Sequence, residues 1–181
     1  MFPVNLPNLL TVLRIMLVPV LVVALLGNTP DGDVLAAVVF ALASLTDLVD
    51  GYLARSRGSV TNFGKLMDPL ADKLLIIAAL ISLVSLHRLE PWIAMVIIAR
   101  ELAVTLLRAG AASNGVVIPA SNWGKAKTVM QIVAILAVIT VHGSPLWLDL
   151  LLYATVAVTV ASGLDYFFGL RRRMAAAQAK G

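Results

Sequence analysis

Residues 34–54, VLAAVVFALASLTDLVDGYLA, form an apolar stretch long enough to cross a bilayer as a helix, and its second half contains two aspartates, Asp47 and Asp50. Five further apolar stretches of similar length are separated by short segments rich in Gly, Asn, Pro and charged residues. We therefore predict an all-α fold of six transmembrane helices, at residues 6–26, 34–54, 68–86, 91–110, 124–142 and 146–170. These helices would form one domain over residues 1–170, followed by a basic tail at 171–181.

The composition supports a membrane protein and excludes several kinds of site. Of the 181 residues, 60% are hydrophobic and 13% are charged, and the mean hydropathy is +0.95. That is more apolar surface than one water-soluble core could bury. The absence of cysteine excludes disulfides, thiolate metal sites and a cysteine nucleophile. No basic stretch is interleaved with aromatic residues, which argues against nucleic-acid binding.

The basic residues in and next to the connections between spans are concentrated on one side of the membrane. Ten of the 14 Lys and Arg residues lie in the even-numbered connections, at the span ends that border them, or in the tail, whereas the odd-numbered connections contain only Arg88. Because positively charged loops remain in the cytoplasm, we expect both termini to be cytoplasmic.

Four aspartates lie at the cytoplasmic ends of the second and third spans: Asp47, Asp50, Asp68 and Asp72. A single aspartate there could simply reach the interface, although at the bilayer centre it would cost roughly 2.5–3.5 kcal/mol. Four carboxylates that converge from two antiparallel helices repel one another unless cations lie between them. Hard divalent ions with oxygen ligands suit such a cluster. Together with the guanidinium of Arg55, which suits phosphate oxygens, the cluster predicts a phosphoryl-transfer site with paired metal ions.

The same stretch carries a family signature. Residues 47–72 fit D-x-x-D-G-x-x-A-R, eight residues, G-x-x-x-D-x-x-x-D at every defined position, and they resemble the CDP-alcohol phosphatidyltransferases. By this resemblance the four aspartates bind two divalent ions, Mg²⁺ or Mn²⁺, and Asp72 is also the general base. The resemblance also implies a set of residues that face the CDP group: Gly51, Ala54, Arg55 and Gly64.

The amino-terminal segment, residues 5–14, is similar to that of the bacterial phosphatidylglycerophosphate synthases within this family. We interpret Asn8 and Thr11 as contacts to CDP-diacylglycerol and Arg14 as a contact to the acceptor phosphate. The alternatives are a helix cap for Asn8 and, for Arg14, a side chain that extends to the interface.

Residues 100–108 and 124–131 also resemble the fourth and fifth helices of these synthases. They contain four cations that we interpret as ligands of a dianionic acceptor: Arg100, Arg108, Lys125 and Lys127. A structural pair of Glu101 with Arg108, or a solvated Lys127, are the alternatives.

The resemblance implies phosphatidyl transfer from CDP-diacylglycerol to sn-glycerol 3-phosphate in the cytoplasmic membrane of a bacterium, among membrane lipids and with release of CMP. The same chemistry with phosphatidylglycerol, inositol phosphate or serine as acceptor is an alternative. A small cation or proton transporter is another, but its relay would need acids near the midplane, whereas these aspartates lie at one end. The sequence leaves open whether the chain forms a homodimer.

Overall fold

The computed structural model describes the backbone of residues 6–27, 29–57, 62–113 and 122–178, and the side chains of residues 9–27, 29–46, 73–111, 124 and 126–172. Within these ranges the protein consists of six α-helices and contains no strand, which confirms the all-α prediction. The helices are α1 (Leu6–Leu26), α2 (Gly32–Arg57), α3 (Asn62–Ser85), α4 (Pro91–Ser113), α5 (Asn122–Thr140) and α6 (Leu146–Gln178).

Several helices extend beyond the predicted spans. Because α2 ends at Arg57 and α3 begins at Asn62, most of the predicted connection between the second and third spans, at 55–67, is helical. Similarly, α6 continues through the basic tail to Gln178. The predicted boundaries followed hydropathy, but Arg, Lys, Met, Ala and Gln are good helix formers and continue a helix beyond its apolar segment.

The helices expose many large apolar side chains and bury several polar ones. Each of the six helices exposes large apolar side chains, such as Val23, Leu106 and Leu146, whereas Arg14 and Gln131 are buried. In the described part of the chain, α1 and α6 contain apolar segments long enough to cross a membrane, and α2, α3 and α5 contain shorter ones. Exposed apolar and buried polar side chains together indicate a membrane protein.

The chain divides into two compact units. The first unit comprises residues 1–89 and 135–143, and within it α1 packs against α2 and α3. The second unit comprises residues 90–134 and 144–181, and within it α4 packs against α6. The side chains buried in the first unit include Leu21, Phe40, Leu75, Leu80 and Leu83. Those buried in the second unit include Ile93, Ile97, Val104, Leu148 and Leu152.

Arg88, which follows α3, connects three parts of the first unit. Its Nη1 atom donates to Asp33 Oδ1 at 2.8 Å and to the carbonyl oxygen of Ile139 at 3.3 Å. His142 Nε2 lies 2.9 Å from the other carboxylate oxygen of Asp33. The hydrogen bond from Arg88 holds the pKa of the Asp33 carboxyl below its ordinary value of 3.8, although partial burial acts in the opposite direction. Asp33 lies in the first turn of α2, before the predicted span, so this contact fixes the end of the helix outside the apolar segment.

We expect Asp33→Asn to lower the melting temperature of the detergent-solubilised protein by about 2–4 °C near neutral pH, the shift typical of a loss of about 1 kcal/mol. Because folding lowers the pKa of Asp33, its contribution to stability is present above about pH 4 and is lost as the pH falls through the folded-state pKa. The difference in melting temperature between the wild type and Asp33→Asn should therefore disappear at acidic pH. Asp31→Asn is the matched control, since Asp31 is exposed and Asn caps a helix equally well. A difference that did not change with pH would contradict this assignment.

Candidate active site

The four aspartates of the signature lie on two helices that contact each other. Asp47 and Asp50 belong to the last three turns of α2, and Asp68 and Asp72 belong to the first three turns of α3. Their side chains, and those of Gly51, Ala54, Arg55 and Gly64 on the same helices, lie outside the described residues. Their convergence therefore remains a prediction. Among the side chains that are described, no group of three or more His, Asp or Glu residues could hold a metal ion.

The signature itself supplies a donor set that fits a metal. Its four acids offer only carboxylate oxygens, and the chain contains no cysteine to favour a softer ion. Such a set suits Mg²⁺ or Mn²⁺, which prefer oxygen ligands.

Arg14 is buried against the helix that carries the first two aspartates. Both Arg14 and Thr11, one turn earlier on α1, are 2% exposed. Arg14 Nε donates to the carbonyl oxygen of Ala43 at 3.4 Å, and that oxygen also accepts a hydrogen bond from Thr46 at 2.8 Å. Ala43 precedes Asp47 by one turn of α2, so the guanidinium lies against the turn just before the signature. The alternative that Arg14 extends to the interface is wrong. The Asn8 side chain lies outside the described residues.

A buried network of charges occupies the second unit. The Glu101 carboxylate on α4 accepts hydrogen bonds from Lys127 on α5 and, at 3.3 Å, from its neighbour Arg100. Glu101 is 7% exposed and Lys127 is 4% exposed, so the alternative of a solvated Lys127 is wrong. Among the described residues, two cations, Arg100 and Lys127, are paired with this buried carboxylate.

Arg100 also reaches α6. Its Nη2 atom donates to Ser162 Oγ at 2.9 Å, and the Ser162 hydroxyl donates to the carbonyl oxygen of Thr159 at 2.9 Å. A Cβ atom on Gly163 would lie 3.3 Å from Arg100 Cγ, so the absence of a side chain at Gly163 lets the arginine lie against α6. The network therefore joins α4, α5 and α6 within the second unit.

Arg108 has a different partner from the one considered from sequence. Its guanidinium carbon lies 5.5 Å from the centre of the Tyr166 ring, which is a cation–π contact. Glu101 pairs with Lys127 and Arg100 in place of Arg108. Arg108 is exposed, so it keeps its charge available at the surface of the second unit. The side chain of Lys125 lies outside the described residues.

Several polar residues of the second unit have no role predicted from the sequence. On α6 they recur at spacings of four, three and four residues and are all buried: Thr155, Thr159, Ser162 and Tyr166. That helical spacing of polar residues within an apolar helix was the signal that could have identified them. Gln131, one turn after Lys127 on α5, is completely buried.

Comparison with known proteins places these residues in a family. The profile described as CDP-alcohol phosphatidyltransferase matches residues 4–161. The chain is similar to the CDP-diacylglycerol--glycerol-3-phosphate 3-phosphatidyltransferase of Bacillus subtilis, with 44% identity over 90% of this chain and 93% of that protein. It is also similar to the probable phosphatidylglycerophosphate synthase of Mycobacterium tuberculosis, with 44% identity over 90% of this chain and 79% of that protein. A Rickettsia bellii protein with the same name as the Bacillus relative is 39% identical over 90% of this chain and 93% of its own length. Because the profile covers most of the chain and the relatives align over nearly all of it, the chain belongs to the CDP-alcohol phosphatidyltransferase family.

Proposed function

We propose that this protein transfers the phosphatidyl group of CDP-diacylglycerol to sn-glycerol 3-phosphate, giving phosphatidylglycerophosphate and CMP. The observation that carries the proposal is the 44% identity to the Bacillus subtilis phosphatidyltransferase over 90% of the chain, with the complete signature at residues 47–72. The exposed apolar side chains on all six helices fit an enzyme whose donor is a lipid held in the bilayer.

The four signature aspartates would hold two divalent ions, Mg²⁺ or Mn²⁺, because they offer only carboxylate oxygens. Such ions neutralise negative charge on a pyrophosphate as it is cleaved. In this mechanism Asp72 accepts the proton of the primary hydroxyl of the acceptor, whose oxygen then forms the new bond to the lipid-linked phosphorus. The phosphoanhydride bond breaks and CMP leaves. We assign no residue as a covalent nucleophile, so the transfer is direct.

The donor contacts are assigned to residues of α1, α2 and α3. Arg55 binds phosphate oxygens of the CDP group through its fork of donors. Gly51, Ala54 and Gly64 are small enough to allow the nucleotide close to the helix backbone. To the same substrate we assign two residues of α1: Asn8 and Thr11.

We assign binding of the acceptor phosphate to basic residues that belong to the helices. In the second unit two cations, Arg100 and Lys127, lie beside the buried Glu101 carboxylate, which supports this role because a phosphate binds to clustered cations. Arg108 and Lys125 add positive charge on α4 and α5. Arg14 is given the same role on its sequence resemblance.

We place the protein in the cytoplasmic membrane of a bacterium as a single domain of six spans, with both termini and the active site in the cytoplasm. The relatives are bacterial proteins, and ten of the 14 basic residues lie in the segments assigned to the cytoplasmic side. Some of these residues, such as Arg108 and Lys127, lie within helix ends rather than in loops.

The acceptor is tested with purified protein, CDP-diacylglycerol and equal concentrations of four alcohols: glycerol 3-phosphate, phosphatidylglycerol, inositol phosphate and serine. The products are identified by mass spectrometry. We expect phosphatidylglycerophosphate as the main product. Preferential formation of cardiolipin, a phosphatidylinositol phosphate or phosphatidylserine would preserve the reaction class and overturn the assigned acceptor.

A further inference from the structure

Unsatisfied polar atoms are concentrated in the second unit. Among the described residues, five buried side-chain atoms lack a hydrogen-bond partner, and all belong to this unit: Arg100 Nε, Gln131 Nε2, Gln131 Oε1, Thr159 Oγ1 and Tyr166 Oη. A buried donor or acceptor without a partner destabilises the protein, and the hydrocarbon around a membrane helix offers no alternative partner. Several such atoms in one unit therefore point to a polar ligand.

Two of these residues lie next to the charge network. Gln131 follows Lys127 by one turn of α5, and Lys127 binds Glu101. The carbonyl oxygen of Thr159 accepts a hydrogen bond from the Ser162 hydroxyl, and the oxygen of that hydroxyl accepts one from Arg100. Gln131 and Thr159 are each 0% exposed. Gln131 is thus one helical turn from Lys127, and Thr159 is connected to Arg100 through Ser162; the proposed function assigns both of these cations to the acceptor phosphate.

The chemistry of these atoms fits an alcohol better than a phosphate. Gln131 Oε1 accepts hydrogen bonds but cannot donate, and a phosphate dianion has no proton to give it. An alcohol hydroxyl can donate to the amide oxygen and accept from an amide N–H or from the Thr159 hydroxyl. Glycerol 3-phosphate has a secondary hydroxyl that neither carries the phosphate nor reacts.

We propose that Gln131 and Thr159 bind the secondary hydroxyl of the acceptor and so make the enzyme selective for a phosphorylated diol. This inference rests on the proposed function and adds to it two specificity-determining residues. The hydroxyl satisfies the buried amide and threonine only when the correct acceptor is bound, so an acceptor without it leaves them unpaired.

The test compares glycerol 3-phosphate with 3-hydroxypropyl phosphate, which keeps the phosphate and the reacting primary hydroxyl but lacks the secondary one. For the wild-type protein we expect kcat/KM to be at least about 10-fold higher with glycerol 3-phosphate. Gln131→Leu should reduce kcat/KM for glycerol 3-phosphate to about the level of the analogue and change the value for the analogue little. Thr159→Val should lower the preference in the same direction, and it provides a second, nearly isosteric test if Gln131→Leu does not fold.

Thr155→Val is the matched control. Thr155 is a buried threonine one turn before Thr159 on α6, but its hydroxyl already donates to the carbonyl oxygen of Leu151 at 2.7 Å. This variant should keep the wild-type preference. If the wild type used both acceptors equally, or if Gln131→Leu and Thr159→Val kept the wild-type preference, the inference would be wrong while the proposed function stood. If the wild type transferred the phosphatidyl group to neither acceptor but did transfer it to another alcohol, both the proposed acceptor and the inference that rests on it would be wrong.

Discussion

Asp72→Asn is expected to reduce turnover at least about 10²-fold, because loss of a general base alone typically costs 10²–10⁴ in rate. The substitution keeps the size of the side chain and one acceptor oxygen, but it removes both the charge and the basicity. Affinity for CDP-diacylglycerol should fall much less than turnover. Single-turnover rates measured beside equilibrium binding of the donor separate the two effects.

Asp47→Asn and Asp68→Asn are the controls for this prediction, since they remove the same charge from the same two helices. We expect both to lose donor binding as well as turnover, with part of the binding recovered in excess Mg²⁺ or Mn²⁺. If Asp72→Asn turned over at a near-normal rate with saturating acceptor, Asp72 would not be the base, and the proton would have to leave by another route.

Arg108→Ala is expected to raise the KM for glycerol 3-phosphate by about 10-fold or more while changing the KM for CDP-diacylglycerol little, because charge-assisted hydrogen bonds to phosphate are lost. Substitution of Arg108 is the easiest to interpret, because the side chain is exposed and contacts the Tyr166 ring, so its removal leaves no buried carboxylate without a partner. Arg55→Ala should have the opposite effect, raising the KM for the donor. If each variant raised both KM values equally, the assignment of Arg108 to the acceptor and of Arg55 to the donor would be wrong.

Lys127 requires a different design, because its removal leaves buried Glu101 with one cation fewer. Lys127→Met should therefore lower the melting temperature as well as acceptor affinity. Adding Glu101→Gln should recover much of the stability but not the affinity for glycerol 3-phosphate. A double variant that recovered both would assign Lys127 a purely structural role.

The sequence was sufficient to predict the helices and the family, because both depend on local patterns. Six apolar stretches gave six helices, and the family signature lies within 26 consecutive residues, 47–72. Helix ends were less predictable: hydropathy marks where the apolar segment stops, whereas α3 begins at Asn62 and α6 continues through the arginines to Gln178.

The partners of the buried charges could not be predicted, because they depend on packing between distant parts of the chain. Lys127 and Glu101 are 26 residues apart, and Arg100 and Ser162 are 62 apart. Spacing on α4 allows a pair of Glu101 with Arg108 as the alternative to acceptor binding, since both lie on one face of the helix. Gln131 lies in the stretch 124–131 that resembles the synthases, but its buried, unsatisfied amide depends on the packing around α5 and has no signal in the sequence.

The central claim is that this chain is a metal-dependent phosphatidyltransferase that uses glycerol 3-phosphate. The most direct test is CMP release by the purified protein with CDP-diacylglycerol, measured before and after addition of glycerol 3-phosphate, with Mg²⁺ or Mn²⁺ present or removed by a chelator. We expect CMP to appear only when both the acceptor and the divalent ion are present, in equal amount to the phosphatidylglycerophosphate formed. CMP release that required neither the acceptor nor the metal, or no CMP release under any of these conditions, would contradict the account.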